Sequence, residues 1–214
     1  MFRFFFLACI AAAIAGCSQS GRLEDKQRAQ ELWAARQQAL LDFDSWDVHA
    51  RAALKLESGV YNIGIRWQRQ AETSTILLEA PFGQGVFRIE SEAIGKYRLR
   101  LPDGRVFEDS SAEALLEKMI GWSLPISGLD YWIRGLPRPG SGYSHRLDEG
   151  GRARSIDQDQ WSIGYLDYFA RQENLQLPRR VKLLSDKVTL KLIIERWQQP
   201  TSDASPSDLF PTFN

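Results

Sequence analysis

From Trp46 to Leu56 every even position is apolar, in the run Trp46-Asp47-Val48-His49-Ala50-Arg51-Ala52-Ala53-Leu54-Lys55-Leu56. A side-chain period of two belongs to a strand with one buried face; a helix would scatter the same residues around its axis. Glu57-Ser58-Gly59 supplies a turn, and Tyr61, Ile63, Ile65 and Trp67 then alternate with Asn62, Gly64, Arg66 and Gln68. Two such runs across a short Gly-containing turn form a hairpin. A hairpin with so apolar a face needs more sheet to cover it, and the chain provides it. Short strands are expected at Thr75–Ala80, Val86–Ser91, Lys96–Leu101 and Arg105–Glu108, the last two joined by Pro102-Asp103-Gly104. A second set is expected at Tyr143–Leu147, Arg152–Asp157, Gln160–Tyr168, Arg179–Ser185 and Lys187–Trp197, with the final hairpin turning at Ser185-Asp186.

Helical spacing appears in two places. Between Lys26 and Phe43, Ala29, Leu32, Arg36, Ala39 and Phe43 recur at steps of three and four, beside Trp33 and Leu40. Arg36 fits that stripe if its methylene stem lies along apolar surface. Midway, Ser110 with Glu113 reads as a capping box opening a helix over Ala112–Ile120. Pro125 breaks it, Ser127 is placed to cap a second short helix carrying Leu129, Trp132 and Ile133, and Gly135 and Pro137 stop that one. Many short antiparallel strands make a sandwich or barrel. With one helix ahead and a helical pair inserted, the expected class is mainly β with α: an unclosed antiparallel barrel of about eleven strands, helices covering its opening.

The N-terminus bears on compartment. Arg3 is followed by an apolar stretch, Phe4 to Ile14, then Ile14-Ala15-Gly16-Cys17. The stretch is short of the roughly 20 residues that span a bilayer, and small residues before a Cys resemble the bacterial lipobox, where the chain is cut and the Cys acylated. The expected organisation is a signal peptide over 1–16, a lipid-anchored tether over 17–25, a binding domain over 26–197 and a disordered tail over 198–214. Removing 16 of 214 residues leaves 198, enough for one sizeable core. Cys9 leaves with the signal, so Cys17 has no partner for an intrachain disulfide. Lys plus Arg and Asp plus Glu are 27 each, and the aromatic residues come without a basic stripe. That excludes nucleic acid as a partner, and a monomer is expected.

Catalytic patterns are absent from the sequence. The two histidines, His49 and His145, lack the spacing of a zinc site. Gly121-Trp122-Ser123 begins a nucleophile elbow that Pro125 ends, and Gly83-Gln84-Gly85 lacks the third glycine of a dinucleotide loop. Asp157 and Asp159 flank a turn, where solvated carboxylates are common. No enzyme activity, metal or cofactor is expected. One loop is unusual: in Glu79-Ala80-Pro81-Phe82-Gly83-Gln84-Gly85 a large apolar side chain stands at the tip, where turns favour polar residues. Phe82 either folds back over the barrel end or meets an apolar surface outside, and on a lipid-anchored chain the second reading is a membrane contact.

The stretch Met119-Ile120-Gly121-Trp122-Ser123-Leu124-Pro125-Ile126, leading to Leu129-Asp130-Tyr131-Trp132-Ile133-Arg134-Gly135-Leu136-Pro137, resembles the helical pair of the LolB family of outer-membrane lipoprotein receptors, and the likeness runs from Trp33 to Trp197. Pro81-Phe82-Gly83 resembles that family's protruding loop, with Phe82 where Leu is usual; the polar tail is atypical. Ser18 after Cys17 resembles the outer-membrane sorting pattern. The resemblance implies a LolA/LolB-like open barrel whose apolar cavity takes acyl chains from a periplasmic, LolA-like carrier and passes them to outer-membrane lipid on the periplasmic face. On that implication the cavity is expected to be lined by Trp46, Tyr61, Ile63, Ile65, Trp67, Leu77, Ile89, Trp122, Leu129, Trp132, Ile133, Trp161 and Trp197. Three alternatives share parts of the pattern: a lipid-anchored carrier of fatty acid, phospholipid or another hydrophobic ligand, a structural lipoprotein with a packed barrel, and a hydrolase with a Ser or Asp beside His49 or His145.

Overall fold

A computed structural model of the chain describes residues 23–79, 85–93, 95–122, 124–170 and 175–199. The expected signal and lipidation site, the tail from residue 200 onward, and the loop carrying Pro81, Phe82 and Gly83 lie outside them, while Gln198 of the expected tail ends the last strand.

Helix α1 spans 23–42. Its buried face is Ala29, Trp33 and Leu40, with Arg36 and Phe43 partly buried, while Leu32 and Ala39 of the expected stripe face outward. Six strands then follow hairpin by hairpin: β1 (Trp46–Leu56), β2 (Gly59–Gln70), β3 (Thr73–Glu79), β4 (Val86–Ala93), β5 (Lys96–Arg100) and β6 (Val106–Asp109). Two helices intervene, α2 (Ala112–Ile120) and α3 (Ile126–Trp132). The chain returns through β7 (Tyr143–Leu147), β8 (Ala153–Gln158), β9 (Trp161–Tyr168), β10 (Pro178–Leu184) and β11 (Thr189–Gln198). All eleven strands share one sheet in the order β6-β5-β4-β3-β2-β1-β11-β10-β9-β8-β7.

Each half is a meander, and the halves meet where β1 pairs with β11. The two edges, β6 and β7, are the strands that the helical pair connects. Side chains from Phe107 on β6 to Leu147 on β7 reach one apolar cluster, so the sheet is curled around a common interior, and α2 and α3 add Leu115, Leu116, Leu129 and Trp132 to it. The barrel is open and its opening is covered by helices.

Local corrections have local causes. The cap of α2 is Ser111, not Ser110: its side chain accepts the backbone N–H of Ala114. Glu113 does not complete a capping box. Its carboxylate reaches across to accept the backbone N–H of Ser127 at 2.7 Å, so α3, which has no side-chain cap of its own, is capped by a residue of α2. Burial raises the Glu113 carboxyl, but the hydrogen bonds from Ser127 and Ser111 outweigh it and hold the group below its ordinary range. Two glycines permit close approach. A Cβ at Gly128 would stand 2.5 Å from the ring of Trp132, so its absence lets that indole fold along α3. At Gly151, in the β7–β8 turn with φ of +69°, a Cβ would stand 2.5 Å from the Leu32 Cβ and 2.8 Å from the Trp33 backbone nitrogen. That turn seats α1.

Candidate functional site

The site is the concave face of the sheet, and strand register decides which side chains reach it. In β1 the face is Trp46, Val48, Ala50, Ala52 and Leu54, all buried. Residues directly opposite on antiparallel strands share a face, so Trp67, Ile65, Ile63 and Tyr61 of β2 join them. From β3 and β4, Ile76 opposite Trp67 and Ile89 opposite Ile76 follow. Leu77 does not: it pairs with Arg66 and Arg88, whose face is the outer one. The expectation that Leu77 points inward is corrected, with Ile76 and Leu78 taking its place in the core cluster.

On β11 the alternation of Leu190, Leu192 and Ile194 would bring Arg196 inward next. A β-bulge prevents it. Ala50 pairs with Ile194, but His49 pairs with Arg196 and Val48 with Trp197, so Glu195 is the extra residue. One extra residue flips which face every later side chain points to, and Trp197 comes inward. Its ring lies 5.5 Å from that of Trp46 and 6.2 Å from that of Phe43.

The expected residues other than Leu77 converge. Trp46 meets Trp67 edge-on at 5.2 Å. Trp122, between α2 and α3, sits 5.9 Å from Tyr61 and 6.1 Å from Phe87. Trp132 lies 6.3 Å from Trp161, and Leu129 and Ile133 are buried with it. Aromatic pairs at these separations contribute about 0.5–1.5 kcal/mol each beyond the area they bury. The interior is filled by these side chains: Trp46, Leu99, Ile156, Ile163, Leu183 and Ile194 are fully buried.

Polar groups beneath the helices are the part sequence reasoning missed. Gln158 accepts the Trp132 indole N–H at 2.9 Å and the Arg138 backbone N–H at 2.8 Å, and its amide donates to the Arg138 carbonyl and the Ser141 hydroxyl. Tyr165 donates to the Trp132 carbonyl. Arg134, buried just past α3, donates to the carbonyls of Asp130, Leu40 and Phe43, each at 3.0 Å. A cation at the end of α1 also suits the helix dipole there. Asp130 pairs with Arg69 of β2. Burial pushes the Asp130 carboxyl up, against the pull of Arg69 and Arg134. The indole nitrogens of Trp33 and Trp46 are buried without a hydrogen-bond partner among the described residues.

The histidines lie elsewhere. His49 is on the outer face beside Asp47 and Arg196. His145 stacks on Trp33 at 5.5 Å, near Gln30 and Tyr143. Asp157 accepts the Ser162 hydroxyl and Asp159 binds Arg138, both at the β8–β9 turn. Among the described residues no three His, Cys, Asp or Glu gather as metal ligands, and no helix is long and apolar enough to cross a membrane.

At one end of the barrel a surface depression of about 820 Å³ is lined by Phe43, Phe169, Leu175, Leu177, Trp197 and Gln199, among others. β3 ends with Glu79 opposite Gly64 of β2, which pairs with Arg51 of β1, whereas Trp197 pairs with Val48, nine residues from the β1–β2 turn at Glu57.

The family model described as outer membrane lipoprotein LolB matches residues 44–197. Outer-membrane lipoprotein LolB of Chromohalobacter salexigens is 35% identical over 189 residues, covering 88% of this chain and 87% of that protein. The protein of the same name from Nitrosococcus oceani is 35% identical over 186 residues, covering 86% and 92%. In three dimensions the chain is similar to a putative outer membrane lipoprotein-sorting protein domain from Vibrio parahaemolyticus, with a TM-score of 0.55 and 12% identity over 85% of this chain and 94% of that one. A LolA superfamily protein from Nitrosomonas europaea gives a TM-score of 0.50 at 12% identity, over 86% and 97%. These two share the fold.

Proposed function

This chain belongs to the LolB family and is an outer-membrane lipoprotein receptor; from that premise we propose that it is anchored through Cys17 on the periplasmic face, takes acylated lipoproteins from a LolA-like carrier into the concave face of its sheet, and releases them to the bilayer at the Pro81-Phe82-Gly83 loop. The observation that carries the reading is the convergence of aromatic and branched side chains from β1, β2, β4, β11 and both inserted helices on one face. Burying a CH₂ is worth about 0.8 kcal/mol, so an acyl chain of about fifteen methylenes costs roughly 12 kcal/mol to hold in water. Transfer without that cost runs from one apolar interior to another. No bond is made or broken, so the task needs no catalytic group and no nucleotide, only an interior that holds the chains better than the carrier does and less well than the bilayer.

The filled interior makes this an exchange. An arriving acyl chain displaces side chains that now lie against Trp46, Trp122 and Trp132, and α3, tied to the sheet through Asp130–Arg69 and Trp132–Gln158, is the element that moves with them. The unpartnered Trp46 N–H is a donor available to an ester carbonyl of the lipid.

The test is transfer of an acylated lipoprotein from purified carrier to outer-membrane vesicles, comparing the chain with its Phe82→Glu variant, both carrying Cys17→Ser to remove the anchor. Acceptance by both with delivery only by the unsubstituted loop supports the reading. If neither takes lipoprotein from the carrier, the proposed route is wrong and a carrier of small lipids moves ahead.

A further inference from the structure

The depression at the barrel end, where aromatic and branched side chains stand beside polar ones, lies at the point where the chain leaves the described structure: Gln199 lines it. Fifteen residues follow, 200–214, and their apolar side chains cluster at the far end as Leu209, Phe210 and Phe213. From the geometry and this spacing we infer that the segment Leu209–Phe213 docks back into the depression lined by Phe43, Phe169, Leu177 and Trp197.

Three observations carry it. The first is reach. Leu209 is ten residues beyond Gln199, and at roughly 3.3–3.6 Å per residue the connection spans up to about 35 Å, ample for a return to its own starting point. Tethering so short places the apolar segment at an effective concentration in the millimolar range, so an intrinsic affinity of about 0.1 mM suffices to keep the surface largely covered.

The second is charge. The segment 200–214 contains Asp203 and Asp208 and no Lys or Arg. At the rim, Arg179 stands over the Phe169 ring at 5.8 Å. Arg179 and its neighbour Arg180, both more than half exposed, share the single carboxylate of Asp167 at 3.6 and 3.7 Å. Glu195 and Arg196 of the lining offset each other, so two arginines over the one Asp167 carboxylate leave the rim positive, which an acidic segment complements.

The third is chemistry. Phe43, Phe169, Leu175, Leu177 and Trp197 of the lining are aromatic or branched, and Trp197 connects them directly to Trp46 in the core. A Leu-Phe-Pro-Thr-Phe segment offers matching rings. The inference stands whether or not the proposed transfer route does.

The chain contains seven Trp residues, which makes Trp197 observable. The Cys17→Ser chain is labelled with 5-fluorotryptophan, the Trp197 fluorine resonance is assigned with Trp197→Phe, and the label is compared with that in Leu209→Ser/Phe210→Ser/Phe213→Ser. Docking predicts that the triple substitution moves the Trp197 resonance and makes it severalfold more sensitive to a water-soluble gadolinium chelate, with Trp67 and Trp132 unmoved. An unchanged Trp197 resonance overturns the inference. So does a Trp197 resonance that moves with protein concentration, since the cover would then be a second copy.

Discussion

The guanidinium of Arg134 donates to the carbonyl oxygen of Leu40 at 3.0 Å, across 94 residues of sequence. The same nitrogen donates to the Phe43 carbonyl, so the C-terminal end of α1 is fastened to the residue just past α3. The packed interior and the first helix therefore share one buried cation.

Arg134→Met should unmake that joint. It strips the Leu40, Phe43 and Asp130 carbonyls of a donor and leaves Asp130 with Arg69 alone, an expected loss of about 3–5 kcal/mol. Urea unfolding of the Cys17→Ser chain measures it. Arg134→Lys should recover less than half, because an ammonium cannot serve three carbonyls in the plane of a fork.

Gly151→Ala should push α1 off the β7–β8 turn. The added methyl meets backbone at Trp33, and φ at +69° disfavours any side chain, so a loss of about 1–3 kcal/mol is expected. Gly150→Ala is the control, since its nearest neighbour is the Asp148 carboxylate at 3.4 Å. Equal losses in both would place α1 elsewhere.

Gln158→Leu should strand the Trp132 indole N–H and the Arg138 backbone N–H, costing about 2 kcal/mol, the desolvation of buried donors without partners. In a double-mutant cycle with Trp132→Phe the two losses should fall short of adding. Full additivity would mean that the 2.9 Å bond contributes nothing.

Ala52 and Ala53 are neighbours on opposite faces of β1, Ala52 opposite Ile63 and Ala53 opposite Asn62. If acyl chains enter the concave face, Ala52→Leu should cut lipoprotein acceptance about tenfold, the equivalent of 1.4 kcal/mol of overpacking. Ala53→Leu should leave it unchanged. The reverse result would put the binding surface on the outside of the sheet.

Burial holds the His145 imidazole below its ordinary 6.5. A depressed histidine is neutral in the folded chain while the unfolded one takes up a proton, so its contribution is complete above about pH 6.5 and falls as the pH drops below that. His145→Gln should flatten part of the loss in urea midpoint between pH 7.5 and 5. His49, also held down, first by burial and then by Arg196, keeps the remainder.

Where alternation is clean the sequence is a good guide: β1 and β2 run as their patterns predict, and the helical pair appears where Pro125 and Gly135 divide it. Leu77 shows the limit. Ile76, Leu77 and Leu78 are all buried, so β3 is apolar on both sides and composition cannot tell which faces in; only the Trp67–Ile76 register does. The bulge at Glu195 has no sequence signature either, and it decides that Trp197 rather than Arg196 is inside. Arg134, Asp130 and Gln158 read as ordinary surface residues, because their burial depends on partners 61 to 94 residues away or, for Gln158, on Trp132 and the loop from Arg138 to Ser141.

The β1–β11 ladder has a consequence in time. Asp47 pairs with Gln198, while most other ladders join strands adjacent in sequence. Local hairpins close early, because short loops lose little entropy, whereas a pairing this distant waits. The two meanders can each zip as soon as their residues are available, but they remain separate ribbons until the last strand arrives. A chain threaded out of the cell N-terminus first would therefore carry its apolar inner face unsealed until nearly its final residues had crossed, and β11 is the staple that ends that exposure.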